Sequence, residues 1–129
     1  MPVTPRDLVQ FAAGLTTQGT DEMTCRSAVS RAYYGAYHAA EFFHANLSSP
    51  GHLPQNPTGI HETLLHRLEN PSISTSYQSH ILSKQVGYKC RDLKRKREKA
   101  DYQLNASVDL EEARYTQTHA DRILNMIGL

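Results

Sequence analysis

Between Thr20 and Leu47 apolar positions recur at steps of three and four: Val29, Ala32, Tyr33, Ala36, Ala40, Phe43 and Leu47. That spacing marks one face of a helix. At about 100° per residue, Arg31, Tyr34, His38 and Glu41 fall on nearly the opposite side, with Tyr37 and Phe42 on the flanks. Thr20 suits the cap position, and Asp21 and Glu22 put negative charge at the positive end of the helix dipole. No proline follows until Pro50. A helix with aromatic groups all round and few charges is covered on more than one side. It is predicted to be the central helix of a bundle, its second face against a subunit or a ligand.

The rest of the chain supplies what would pack around it. Thr4-Pro5-Arg6-Asp7 reads as a helix start after a short tail, Met1 to Val3. Leu8, Phe11, Ala12 and Leu15 mark its face, and Gly14, Thr16, Thr17 and Gly19 end it. Asn46 to Pro57 holds three prolines and a glycine and is a loop, either mobile or a lid. Thr58 or Gly59 opens a third helix with Ile60, Leu64, Leu65 and Leu68, stopped at Asn70-Pro71. A fourth starts within Ser72 to Ser76 and runs through Gly87 to about Tyr102, its apolar line Leu82, Val86, Cys90 and Leu93. After a turn at Gln103 to Ala106, Ser107, Asp109 and Glu111 start a last helix with Leu110, Ala113, Ala120, Leu124 and Ile127 on its core face. No period-two alternation and no repeat is present. The pattern predicts an all-α fold, an up-and-down helical bundle of four main helices plus one short helix, as a single domain over residues 1–129.

Length and composition narrow this further. A chain of 129 residues is one domain with room for a core. No run approaches the roughly 18 apolar residues of a membrane span, and no basic start precedes an apolar stretch as in a secretory signal. Cys25 and Cys90 are too few and too isolated for a disulfide framework and read as buried free thiols. These features point to the cytoplasm, with no membrane partner. The net charge of +1 hides an asymmetry: residues 84–99 carry eight basic groups against Asp92 and Glu98, while the segments on either side are net acidic.

Three stretches are candidates for chemistry. In the basic run Arg91 to Tyr102, Arg91 and Arg95 lie opposite the apolar line, but Arg97 is eleven residues from Val86, three turns, and shares its side. A guanidinium there must be paired or face a wet cleft; Asp101, one turn on, is the available partner. The run is either a solvated face or a phosphate-binding surface of Arg91, Lys94, Arg95 and Lys99, with Tyr88 and Tyr102 as stacking groups. The stripe Arg31, Tyr34, His38 and Glu41 is either an acid–base site or a hydrogen-bonded interface. Of the seven histidines, His61 and His66 are five apart, and His38 and His44 six. Neither pair can chelate one ion from a helix face, so no metal and no cofactor is expected.

Two of these stretches together carry a resemblance. SRAYYGAYHAA (Ser30 to Ala40), followed about sixty residues on by LKRKREKADY (Leu93 to Tyr102), resembles stand-alone HEPN domains, most closely a small prokaryotic subgroup with an SRAYY…HAA helix and a late R-x-K-A-D-Y signature. The likeness covers roughly residues 22–128. It implies a helical bundle that pairs as a homodimer around a polar cleft. It also implies, for many members, metal-independent endoribonuclease activity as toxins, in defence or in RNA processing. A minimal nucleotidyltransferase antitoxin often accompanies such proteins, in some pairs adenylylating a toxin tyrosine; Tyr102 matches that tyrosine by position. The family's catalytic signature is an arginine, four to six residues, then histidine. Arg97 matches the arginine, but no histidine follows until His119, and the matching neighbourhood holds Asp101. Two readings therefore stand. In one, Arg97, Asp101 and an imidazole from His38 cleave RNA, with Arg31, Tyr34, Arg91, Lys94, Arg95, Lys99 and Tyr102 binding it. In the other, the chain is a non-catalytic RNA- or nucleotide-binding module that partners a nucleotidyltransferase. A plain structural dimer, with Arg97–Asp101 fixing a helix turn, is the bland alternative.

Overall fold

A computed structural model describes residues 2–129; Met1, read as part of the short tail, lies outside the described residues. Five helices make up the fold: α1 Pro5–Gln18, α2 Glu22–Ala45, α3 Ile60–Glu69, α4 Gln78–Tyr102 and α5 Leu110–Ile127. Among the described residues there is no strand, and no helix is long and apolar enough to cross a membrane.

The helix ends follow local chemistry. At α1 a capping box closes: Asp7 N–H donates to Thr4 Oγ1 (3.1 Å) and Thr4 N–H to Asp7 Oδ2 (2.9 Å). The cap of α2 is Asp21, whose carboxylate accepts from Thr24 N–H (3.1 Å), one residue after the expected Thr20. A carboxylate here serves both as acceptor and as dipole counter-charge, which a hydroxyl cannot. Asp109, not Ser107, caps α5 in the same way. The fourth helix begins at Gln78, later than Ser72 to Ser76, because Ile73 and the serines around it turn back to anchor the preceding loop and His80.

α2 is the central element. Val29, Ala32, Tyr33, Ala36 and Ala40 are buried, as the periodicity required, and Ala28 and Ala39 extend the buried arc. The helix packs against α1, α4 and α5 and touches α3. Around it Leu65, Leu68, Val86, Cys90, Leu93, Ala120, Ile123 and Leu124 close one core; each fully buried leucine contributes about 2–3 kcal/mol of transfer free energy. On α1 the buried side is Val9, Ala12 and Thr16, and Phe11 turns out, 59% exposed. Gly87 lets α4 lie close on α3: a Cβ there would meet Glu69 Cγ at 2.8 Å and Leu68 Cβ at 3.0 Å.

Long-range polar contacts fix the antiparallel order. Arg6 at the start of α1 bonds Asp121, Asn125 and the Leu129 carbonyl at the end of α5. Arg26 near the start of α2 is buried against the end of α4, donating to the carbonyls of Lys99 (3.3 Å), Ala100 (2.8 Å), Gln103 (3.2 Å) and Ala106. A cation on the last carbonyls of a helix satisfies groups that have no intrahelical partner and meets the negative end of its dipole.

The loop at 46–57 is held down. Gly51 N–H donates to His44 Nε2 (3.0 Å), Gly51 O accepts from Arg67 Nε (3.0 Å) and His52 N–H donates to Asn70 O (2.8 Å). A side chain at residue 51 would collide with the Arg67 carbonyl, 1.8 Å from the position of its Cβ. The loop is thus a fixed strap across the start of α3's last turn. Cys25 and Cys90 are buried and free, and burial alone pushes the Cys90 thiol up to about 12.

Candidate functional site

The inward line of α4 continues from Val86, Cys90 and Leu93 to Arg97, which is buried, 7% exposed. It meets the aromatic turn of α2 and the first turn of α3. The guanidinium carbon lies 5.3 Å from the Tyr33 ring, 5.6 Å from Tyr34 and 5.7 Å from Tyr102. Such contacts are attractive for a cation over the ring quadrupole. One ion pair completes the surroundings: Arg97 Nη1 to Asp101 Oδ2 at 3.8 Å, too long for a strong hydrogen bond. Ser30 Oγ donates to the same carboxylate oxygen at 3.2 Å. Arg97 Nε has no hydrogen-bond partner. Burial works against the charge, but Tyr34, Tyr33, Tyr102 and Asp101 outweigh it and raise the pKa, so the group stays cationic.

Imidazoles border this cage. His61, in the first turn of α3, sits with Nδ1 2.7 Å from the Tyr33 hydroxyl and its ring stacked on Tyr37 at 4.1 Å. Burial, then the nearby Arg97 and Lys94, holds its pKa below the ordinary histidine value. Burial likewise raises that of Tyr33. A neutral imidazole beside a protonated phenol satisfies both groups, one supplying the proton and the other the lone pair of the hydrogen bond. His38 is half exposed at the rim, its ring 5.4 Å from Tyr37 and its Nδ1 3.5 Å from Glu41 Oε1. Arg31 lies over Tyr34 at 5.3 Å, so one tyrosine ring carries a guanidinium from each of two helices.

The fold therefore brings together Arg97, Asp101, Tyr102, Arg31 and Tyr34, drawn from two stretches sixty residues apart, with His38 at the rim one turn beyond Tyr34, their rings 6.4 Å apart. It sends most of the basic run elsewhere. Arg91 donates to both oxygens of Glu69 (2.8 Å each) and to Glu62 (3.0 Å). Lys94 lies 3.4 Å from Glu62 and from Glu98. Lys99 bonds Glu112 at 2.7 Å. These three, expected to bind phosphates, tie α4 to α3 and α5, because the carboxylates that neutralise them stand on other helices. Arg95 is exposed and apart from the cage, with no carboxylate within ion-pair distance among the described residues.

Three groups of the cage escaped the pattern reading. Tyr33 and Tyr37 were assigned only a packing place, and His61 was weighed only as half of a chelating pair. The described residues hold no group of three or more metal-ligating side chains. What the cage offers is a desolvated cation whose unpartnered Nε is itself buried, a carboxylate beside it, one imidazole within and another at the rim, a set suited to an anion at the guanidinium edge and to moving a proton near it. Compared with known protein families, curated proteins and solved structures, the chain gives no match.

Proposed function

We propose that this protein is an RNA-directed domain of the HEPN kind that cleaves RNA without a metal, as a toxin or defence component acting as a cytoplasmic homodimer. The observation that carries the reading is Arg97, a buried guanidinium with one long ion pair and an unpartnered Nε. An incompletely paired buried charge costs several kcal/mol, and a phosphodiester oxygen is the group that would complete it. In the reaction the 2′-hydroxyl attacks the adjacent phosphorus and the bond to the 5′-oxygen breaks, giving a 2′,3′-cyclic phosphate and a free 5′-hydroxyl. His38 takes the 2′-hydroxyl proton, a proton from solvent or a second imidazole reaches the leaving 5′-oxygen, and Arg97 stabilises the charge that builds on the non-bridging phosphoryl oxygens. Exposed Met23, Tyr102 and Leu104 beside the site offer the apolar rim that a second copy would cover.

The test is incubation of purified protein with RNA in EDTA. Cleavage that Arg97→Ala and His38→Ala each abolish supports the assignment; cleavage surviving both overturns it. A second reading, a non-catalytic RNA- or nucleotide-binding module beside a nucleotidyltransferase, draws on the tie between His38 and Glu41 and on the absent arginine-to-histidine spacing. It predicts salt-sensitive RNA binding and no turnover.

A further inference from the structure

The cations of α4 divide by flank. Those turned to α3, Arg91 and Lys94, meet Glu62 and Glu69. Of those turned to α5, Lys99 meets Glu112, whereas Lys89 and Lys96 have no carboxylate within 4.0 Å among the described residues, and the same holds for Arg114 and Arg122. Arg114 and Arg122 are the two basic residues of an otherwise acidic final segment, 100–129, and both join this flank.

The spacing makes a ladder. Lys89, Asp92 and Lys96 follow one line of α4 at steps of three and four, and Tyr115, His119 and Arg122 one line of α5 at steps of four and three. With the helices antiparallel, Lys96 faces Tyr115, Asp92 faces the Tyr115–His119 turn and Lys89 approaches Arg122. Lys96 Nζ sits 5.1 Å over the Tyr115 ring, whose hydroxyl donates to Asp92 Oδ2 at 2.8 Å and whose other neighbour is His119 at 4.1 Å. Asp92, the carboxylate within the ladder, is thus engaged by a phenol, while Glu111 edges an open depression lined by Arg114, Tyr115, Thr118 and His119. Lys89 and Arg122 both bear on His119 and hold its pKa down, after burial. Tyr115 and His119 thus stand between Lys96 and Arg122, and the ridge carries four cations against the one carboxylate of Asp92, with Glu111 at its edge. A chain of phosphates fits that arrangement.

We propose that the α4–α5 ridge of Lys89, Lys96, Arg114 and Arg122 is a second contact surface for RNA, holding backbone phosphates of the strand outside the Arg97 cage. The proposal rests on the RNA-directed reading but not on catalysis. Its test pairs binding with cleavage. A fluorescent 20-nucleotide RNA methylated at every 2′-oxygen cannot be cut and reports binding alone. Against it, Lys89→Gln/Lys96→Gln/Arg122→Gln is expected to lose at least about tenfold in affinity at 0.1 M salt, with the log–log salt slope falling by about 2. Cleavage of a dinucleoside monophosphate, too short to reach the ridge, is expected to be unchanged in that variant. Binding by the triple variant within twofold of wild type and with the same salt slope overturns the proposal, as does a wild type that binds no RNA. Ridge-dependent binding with no cleavage of RNA by wild type in EDTA keeps the surface and removes the nuclease assignment.

Discussion

Arg26 and Arg97 are buried to the same degree, 5% and 7% exposed, and both lie where α2 meets α4. Arg26 has five partners: the carbonyls of Lys99 and Ala100 in the last turn of α4, those of Gln103 and Ala106 in the turn that follows, and its neighbour Glu22, 3.5 Å away. Arg97 has ring faces, one carboxylate at 3.8 Å, the nearby Tyr102 hydroxyl and a bare Nε. Folding alone explains the first, since α4 would otherwise end with unmet carbonyls. It does not explain the second. A methionine would fill the Arg97 cage with less desolvation, and Asp101, the carboxylate it would leave behind, is partly exposed and hydrogen-bonded by Ser30, so solvent screens the charge that loses its partner. The difference separates a guanidinium that builds the fold from one that the fold holds ready for an anion.

The strongest way to break this contrast is Arg26→Met. It strands the buried Ala100 carbonyl and three part-buried ones, so a loss of about 2–4 kcal/mol is expected in urea unfolding. A loss below about 1 kcal/mol would put the two arginines in one class. An intermediate case sharpens it: Arg91 is fully hydrogen-bonded but a quarter exposed, so solvent screening limits Arg91→Met to about 1–2 kcal/mol by the same measurement. Arg97→Met should come last, within about 1 kcal/mol of wild type or more stable.

Acid sharpens the picture of the cage. His61 titrates below its ordinary value when folded, while the unfolded chain takes up the proton near 6.5. Below that pH the unfolded state binds more protons, so stability present at neutral pH is lost as pH falls through 6.5 toward the folded value. His44 and His119, also lowered by burial first, act in the same direction. Thermal melting from pH 7.5 to 5 should therefore show a falling midpoint, and His61→Gln should flatten the fall in part. An unchanged slope would place the His61 ring in solvent.

Much of the fold could be read from periodicity because helical faces are local. The buried side of α2 follows from steps of three and four, and Arg97 was located inside by its three-turn distance from Val86. The same method missed His61, because nothing local says that the first turn of a short helix swings onto Tyr33 and Tyr37. It overstated the basic run for a related reason. Counting charge along the chain cannot see Glu62, Glu69 and Glu112, which arrive from other helices to neutralise Arg91, Lys94 and Lys99. The α2 cap lies one residue after Thr20, at Asp21, and Asp109 caps α5 from within the stretch that starts it, each carboxylate accepting from a first-turn N–H.

The central claim is that Arg97 is held for a phosphodiester and not for the fold. Its most direct test is cleavage of RNA in EDTA by wild type and by Arg97→Met at matched folded fractions. Cleavage by wild type with loss of at least about a hundredfold in the stable variant, the scale of removing one transition-state charge contact, is the predicted result. An Arg97→Met protein that cleaves as fast as wild type, or that unfolds as readily as Arg26→Met, would contradict it.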